Sequence, residues 1–199
     1  GSATVLGHSI TEPEKYLASV GAMIEGPAFY PALSGAENLR VLATPGGFDA
    51  DRVDSLIDQV GLGGRGGDKY KTYSLGMKQR LGIAAALLPN PKILILDEPT
   101  NHLDVEGVAW LANYINNRKG LAVVVVTHDR WFLDAVTERT WEVVEGKVEE
   151  YEGGYSAFVL SKAERSRQAA VMDQRRNMLI KKELAWLRRG APTRTSKPK

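Results

Sequence analysis

The chain has 199 residues, of which 43% are hydrophobic, and this is enough to build one sizeable core. It contains no cysteine, which excludes disulfide bonds, thiolate metal sites and a cysteine nucleophile. No apolar run reaches the roughly 18 residues of a membrane-spanning helix, and the start, Gly1–Thr4, lacks the charged and apolar regions of a signal peptide. These features fit a protein of a reducing compartment.

The net charge of +2 hides a strong asymmetry along the chain. Residues 161–199 carry 12 Lys/Arg and 3 Asp/Glu, a net +9, whereas residues 1–160 carry 14 and 21, a net −7. Such a basic tail either binds nucleic acid or another anionic surface, or is a solvated helix that Lys and Arg keep soluble.

The first half of the chain predicts short strands followed by helices. Ser34 with Glu37 three residues later is a capping-box pattern, and the helix after it is expected to reach about Leu42 and to be broken by Pro45-Gly46-Gly47. The next helix, capped by Asp49 or Asp51, has one apolar face. In chain order the expected elements are strands at Val5–Gly7 and Val20–Ile24, a helix at Ser34–Leu42, a helix with the apolar residues Val53, Leu56, Ile57 and Val60, and a helix at Ser74–Leu88.

Residues 61–67 form a glycine-rich segment, whose first six residues match the pattern G-x-G-x-x-G. A dinucleotide-binding loop of that pattern follows a strand, but this segment follows a predicted helix. We therefore interpret it as a flexible connector.

The second half alternates apolar strands with helices and ends in a long basic helix. The strand Ile93–Leu96 is expected to be buried on both faces, as in a parallel sheet. In chain order the further elements are a helix at about Val105–Asn116, a strand at Leu121–Val126, a helix at Arg130–Val136, a hairpin of Thr140–Val144 and Lys147–Tyr151, a helix from Ser156 to about Arg189, and a tail at Pro192–Lys199 that is disordered or ordered only on a partner.

Both apolar strands lead into polar residues of the kinds that carry catalysis. Asp97 and Glu98 come directly after the first, and His128 follows the second. Ligands bind at the carboxyl ends of parallel strands, where Asp97 could hold Mg²⁺ and Glu98 could polarise a water molecule. His128 could contact a γ-phosphate or position the attacking water. The alternative is that Asp97-Glu98-Pro99 merely ends a core strand in a turn.

These residues resemble those of the ATP-binding-cassette (ABC) ATPases over about residues 5–151. Ile93–Glu98 resembles the Walker B strand of that family, and Asn101–Asp104 its D-loop. Ser74–Met77 resembles the signature loop, whose helix N-terminus suits a phosphate. The resemblance implies Mg²⁺ at Asp97, a general base at Glu98, a γ-phosphate sensor at His128, and ATP contacts at Ser74, Gly76 and Asp104.

Three positions depart from the usual family pattern. Leu75 and Met77 replace the commoner Gly and Gln of the signature loop. Glu25 stands where the family has the Q-loop glutamine, and its carboxylate would bind Mg²⁺ or water while adding negative charge beside the phosphates.

The phosphate-binding P-loop, G-x-x-x-x-G-K-[ST], does not occur in these residues. In the family this loop lies upstream of Val5–Gly7, so we expect a chain truncated at its N-terminus, a fragment, processed product or recombinant piece. Cassette ATPases work as head-to-tail pairs, so Ser74 and Gly76 would act on the ATP of a second ATPase domain. We expect weak or absent ATPase activity from the isolated chain.

The two halves resemble different branches of the family. Residues 1–100 are similar to the ATPase subunits of bacterial drug exporters, and residues 101–199 to ABC-F proteins, which act on ribosomes. The segments that carry the second likeness include Thr127–Asp134, Glu150–Ser156 and Glu183–Gly190, the last resembling the start of an interdomain linker. A chimera joined near Asp97–Asn101 and a natural mosaic remain alternatives.

The resemblance implies an α/β fold, with a partial RecA-like parallel sheet, an α-helical subdomain at about 33–88 and a basic C-terminal helical extension. The ATPase domain is expected at 1–155, and the helical linker and disordered tail at 156–199. The partner is either a membrane-spanning exporter subunit, which Phe29 and Tyr30 would face, or the ribosome with its tRNA. The expected location is the cytoplasm, either free or at the inner face of the cell membrane.

The basic tail has two interpretations. Its cations, Arg188, Arg189, Arg194, Lys197 and Lys199, contact an RNA backbone, or its apolar residues, Leu184, Trp186 and Leu187, pack on protein. A non-catalytic fragment that docks on a protein or RNA is the alternative to an enzyme.

Overall fold

The structure is a computed structural model that describes residues 2–24 and 28–189. The chain divides into two compact units, Gly1–Thr137 and Glu138–Lys199. The order of elements is mostly as the sequence predicts, and the hairpin and the long helix lie together in the second unit. The strands and helices are β1 (Thr4–Val5), β2 (His8–Ser9), β3 (Val20–Met23), α1 (Gly35–Gly46), α2 (Arg52–Gln59), α3 (Leu75–Leu87), β4 (Ile93–Asp97), α4 (Val105–Asn117), β5 (Ala122–Val126), α5 (Arg130–Val136), β6 (Arg139–Val144), β7 (Lys147–Glu152) and α6 (Tyr155–Arg189).

A parallel sheet of order β3-β4-β5 forms the centre of the first unit. Helix α3 packs against β3 at Gly21, where a Cβ would lie 1.9 Å from the carbonyl oxygen of Ala86. Gly21 pairs with Leu94, and Leu94 and Leu96 are fully buried. The α/β fold is therefore confirmed.

The expectation that β4 is buried on both faces is wrong for this structure. Ile93 and Ile95 alternate with the buried leucines and are only half-buried. The next strand, β5, lies at the edge of the described sheet, and its Val124 and Val126 are exposed. The buried leucines of β4 belong to the same apolar core as Leu81 and Leu87 of α3, and the composition of the strand alone does not reveal which of its faces this core covers.

Helices α1 to α3 pack on one another beside the sheet. The predicted capping box of α1 is present, because the Ser34 hydroxyl accepts from the Glu37 amide and the Glu37 carboxylate accepts from the Ser34 amide. However, α1 continues through Pro45 to Gly46, and its C-cap residue Gly47 has a φ of 63°. A proline in the last turn removes only one amide donor, so the left-handed glycine and not the proline terminates the helix.

Smaller differences concern the chain start and the cap of α2. Leu6 and Gly7, predicted as strand, form the turn between β1 and β2. Asp51 is the N-cap residue of α2, although its side chain makes no capping hydrogen bond. The predicted apolar face of this helix is buried, namely Val53, Leu56, Ile57 and Val60.

The second unit consists of the antiparallel β6–β7 hairpin and the 35-residue helix α6. The Tyr151 ring packs edge-on against Phe158, with 4.9 Å between ring centroids, and the Arg165 guanidinium lies 4.3 Å from the Tyr151 ring. Lys162 forms an ion pair with Glu142. These contacts join the start of α6 to the hairpin. Within the described ranges, no helix combines the length and apolar character needed to cross a membrane.

Candidate functional site

The parallel pairing of β4 and β5 places the predicted catalytic side chains at one edge of the sheet. Asp97, the last residue of β4, pairs with Val126, the last residue of β5. The Glu98 amide continues the pairing by donating to the Val126 carbonyl at 2.7 Å. Glu98 and His128 therefore leave the sheet side by side.

The carboxylate of Glu98 is held from the neighbouring strand end. Its Oε2 lies 2.9 Å from His128 Nδ1 and accepts a hydrogen bond from Thr127 Oγ1 at 3.1 Å. The Thr127 hydroxyl also lies 3.3 Å from that of the buried Thr100. Partial burial raises the pKa of Glu98, but the hydrogen bonds from His128 and Thr127 outweigh it and lower the pKa below its ordinary value. The carboxylate is thus kept ionised, as a general base requires.

The backbone of Glu98 is in the left-handed region, with a φ of 46°, which non-glycine residues seldom adopt. The Gln79 side-chain amide donates to the carbonyl oxygens of Glu98 at 3.1 Å and Pro99 at 3.2 Å. Gln79 is buried in α3 and was not among the sequence candidates. The sequence does contain one signal that could have identified this residue, because Gln79 is the only Asn or Gln in the Ala- and Leu-rich helix α3.

Ser74 and Gly76 occupy the N-terminus of α3. Ser74 is the N-cap, and its hydroxyl oxygen accepts from the Met77 amide at 3.2 Å. A Cβ on Gly76 would lie 2.7 Å from the carbonyl oxygen of His102, whose own φ is 63°. Besides its predicted contact with ATP, Gly76 therefore allows the start of α3 to lie close to the segment after β4, where a larger residue would clash.

Asp104 is the N-cap residue of α4, and its carboxylate accepts from the Gly107 amide at 2.9 Å. Arg80 of α3 pairs with the same carboxylate at 2.5 Å and donates to the Val60 carbonyl at 3.0 Å. The hydrogen bond from Gly107 and the charge of Arg80 lower the pKa of Asp104 against the effect of desolvation. Arg80 is a second residue of the site that the sequence analysis did not identify.

Three contacts thus join the first turns of α3 to the segment 98–104. Gly76 lies against His102, Gln79 binds the backbone of Glu98, and Arg80 pairs with Asp104. This arrangement connects the predicted ATP-contacting loop to the predicted general base within one chain.

The donor set at this edge fits Mg²⁺. Asp97 stands half-exposed at the end of β4, next to Glu98. Mg²⁺ keeps several waters and is commonly bound through one or two carboxylates together with substrate phosphates. Among the described residues no group of three or more His, Cys, Asp or Glu could enclose a metal alone. An ion shared with nucleotide phosphates is the arrangement that suits Asp97. Glu25, the remaining predicted site residue, lies outside the described residues.

Two family models, both described as ABC transporter, match residues 1–101 and residues 141–199. Three curated relatives illustrate the range of similar proteins. The uncharacterized ABC transporter ATP-binding protein YfmR of Bacillus subtilis (strain 168) is 48% identical over 62% of this chain and 20% of its own length. The uncharacterized ABC transporter ATP-binding protein YdbJ of the same strain is 44% identical over 74% of this chain and 50% of its own length. The energy-dependent translational throttle protein EttA of Escherichia coli (strain K12) is 42% identical over 66% of this chain and 23% of its own length. The chain therefore spans between about a fifth and a half of these relatives.

Two solved structures illustrate the similar fold. One is described as the ATP binding subunit of an ABC transporter, with a TM-score of 0.67 and 25% identity over 75% of this chain and 65% of that one. Another is a dimeric post-hydrolysis state of the ATP-binding cassette MJ0796 bound to ADP and Pi, with a TM-score of 0.63 and 25% identity over 76% of this chain and 73% of that one. Since the first family model covers half of the sequence and the fold agrees, the chain belongs to the ABC transporter ATPase family.

Proposed function

We propose that the chain takes part in Mg²⁺-dependent hydrolysis of ATP, with Glu98 as the general base. The observation that carries this proposal is the position of its carboxylate, 2.9 Å from His128 Nδ1 and 3.1 Å from Thr127 Oγ1 at the ends of two adjacent parallel strands. Asp97 would hold the Mg²⁺, which neutralises charge on the phosphates.

The chain's own groups have distinct tasks in this reaction. The ionised Glu98 accepts the proton of the attacking water, while His128 orients that carboxylate and contacts the γ-phosphate. Glu25 would bind Mg²⁺ or water, and Asp104 would contribute from the D-loop position. Positioning and charge stabilisation supply most of the catalysis in phosphoryl transfer, so loss of one group lowers the rate without changing the fold.

A second ATPase domain is part of the proposal. Ser74 and Gly76 lie at the exposed N-terminal end of α3, where backbone amides and the helix dipole favour an anion. We propose that they bind the γ-phosphate of ATP held by that second domain in a head-to-tail pair. MJ0796, which has a similar fold, is described as dimeric, and this supports the pairing of two such domains.

Equilibrium binding of ATP tests whether the chain is part of an enzyme. We expect weak binding that requires Mg²⁺ and is further reduced in Asp97→Asn, because the amide cannot neutralise the ion. Asp51→Asn is the matched control, since Asp51 is the N-cap residue of α2 and its side chain makes no capping hydrogen bond. Mg²⁺-independent binding, or equal binding by Asp97→Asn, would contradict the assignment of Asp97. No binding by any form would favour the non-catalytic module.

The proposed process is action on the ribosome, with transport by an exporter as the competing process. The similarity to the translational throttle protein EttA supports the first, and the similarity to transporter ATP-binding proteins supports the second. Helix α6 also supports action on the ribosome, because several of its cations are exposed and form no ion pair with another described residue. These are Arg175, Arg176, Lys181, Lys182 and Arg188.

Binding to ribosomal RNA fragments at several salt concentrations tests this process. Counterion release makes the logarithm of affinity fall with the logarithm of salt, by about 0.7 for each phosphate neutralised on a single strand. We expect Arg175→Ala combined with Arg176→Ala to weaken binding and flatten the slope. Arg40→Ala combined with Arg65→Ala is the control, because both arginines pair with acids in the first unit. RNA binding unchanged by both double variants would contradict the role of α6.

A further inference from the structure

The conformation of Glu98 requires an explanation beyond its contact with His128. Its φ of 46° lies in the left-handed region, where a side chain of ordinary shape is crowded by its own backbone. A residue stays there only when its surroundings determine the backbone more strongly than its own preference does. The groups that bind the Glu98 backbone therefore control where its carboxylate points.

The amide side of Glu98 is fixed by the sheet and the carbonyl side by α3. The Glu98 amide donates to Val126 at 2.7 Å, while its carbonyl accepts from the Asn101 amide at 3.2 Å and from Gln79 Nε2 at 3.1 Å. The same Nε2 also donates to the next carbonyl, that of Pro99, at 3.2 Å. One amide group thus spans two consecutive carbonyls and restricts the rotation of the peptide unit between them.

The Gln79 amide has properties that water at this position would lack. Its side chain is buried, with 8% of its surface exposed, and it extends from a helix that is itself packed on β3. Its orientation follows from its partners, because only the NH₂ end can donate to two carbonyl oxygens. It is therefore a rigid support and not an exchangeable solvent contact.

We propose that Gln79 is a positioning residue that holds the Glu98 backbone in the left-handed conformation and so directs the Glu98 carboxylate onto His128 and Thr127. The inference rests on the proposed role of Glu98 for its functional meaning. It also links the two ends of the catalytic arrangement, since the helix that carries Gln79 begins at Ser74. If the start of α3 moved, the orientation of the Glu98 carboxylate in the same chain would therefore change.

Backbone nuclear magnetic resonance of the full 199-residue chain tests the inference directly. The scalar couplings and carbon shifts of Glu98 report the sign of φ. The variants are Gln79→Met, which keeps the length of the side chain without its donors, and Gln79→Leu. We expect both to shift Glu98 to negative φ and to lose the nuclear Overhauser contact between the His128 ring and the Glu98 side chain.

The control is Asn38→Leu, which removes another buried amide from the first unit. Asn38 donates to the Ser34 carbonyl at 2.8 Å and to the Tyr30 carbonyl at 3.1 Å, on α1 and not at the site. We expect it to leave the Glu98 signals unchanged. If Gln79→Met and Gln79→Leu are folded and keep the positive φ of Glu98, the inference is overturned; if only one folds, that variant decides.

A second readout separates this inference from the proposed function. In single turnovers, Gln79→Met is expected to lower the rate of ATP cleavage at least ~10-fold while ATP affinity stays unchanged, because a misdirected base alters the transition state and not the ground state. If wild type cleaves no ATP even in single turnovers, this assay gives no support to the proposed role of Glu98, and the couplings alone decide the role of Gln79. Unchanged cleavage with a shifted φ would contradict the positioning role.

Discussion

The contact of Gly21 with α3 allows a quantitative prediction for Gly21→Ala. A Cβ at this position would lie 1.9 Å from the Ala86 carbonyl oxygen and 3.1 Å from Cγ of Pro91, whereas ordinary contact begins at 3.4 Å. The strand and the helix would have to separate by about 1.5 Å, the difference between 3.4 and 1.9 Å. Because the obstacle is backbone and not a flexible side chain, we expect a cost near the upper end of the ~1–3 kcal/mol typical of overpacking.

Thermal unfolding followed by circular dichroism measures this cost. A domain of this size loses about 2–4 °C in Tm for each kcal/mol, so about 3 kcal/mol corresponds to a decrease of ~6–12 °C. Ala22→Val is the matched control, because Ala22 is the next residue of β3 and points to the opposite, exposed face. A Tm for Gly21→Ala within about 2 °C of wild type would refute the close packing of α3 on the sheet.

Three further variants test the helix ends and the core. Ser74→Ala removes the oxygen that accepts from the Met77 amide, so urea unfolding should show a loss of ~0.5–2 kcal/mol, and no loss would contradict the cap. The Ser34 hydrogen bonds lower the pKa of Glu37, so their stabilisation is present above the unfolded pKa and is lost as pH falls through the lower folded pKa; Glu37→Gln should show a weaker acid dependence of unfolding. Phe132→Ala, at a fully buried side chain of α5, should cost about 3–5 kcal/mol, and a loss below ~1 kcal/mol would show that the site is not packed as described.

The sequence predicted most of the elements because their local signals are strong. The apolar runs ending in Asp97 and Val126 have the period and length of parallel strands, and the capping box at Ser34 begins a helix as expected. The adjacency of Glu98 and His128 follows from the parallel pairing of the strands that precede them. The local sequence pattern was sufficient to predict the position of a residue where a single strand or helix determines that position.

The remaining features depend on contacts between distant elements. Gln79 and Arg80 reach residues roughly 20 positions away, so their roles follow from the packing of α3 and not from the composition of the helix. The left-handed conformation of Glu98 is likewise imposed by partners on β5 and α3. Half-burial of the second face of β4 depends on which elements cover it, and an apolar strand alone does not specify that.

The most direct test of the proposed mechanism is a comparison of ATP cleavage by wild type and Glu98→Gln in single turnovers with protein in excess. A general base contributes about 10²- to 10⁴-fold, so we expect slow Mg²⁺-dependent cleavage by wild type and at least a ~100-fold lower rate for Glu98→Gln, with ATP affinity unchanged. Glu106→Gln, an exposed carboxylate in the first turn of α4, should cleave ATP at the wild-type rate. Equal rates for wild type and Glu98→Gln would contradict the assignment of Glu98 as the base.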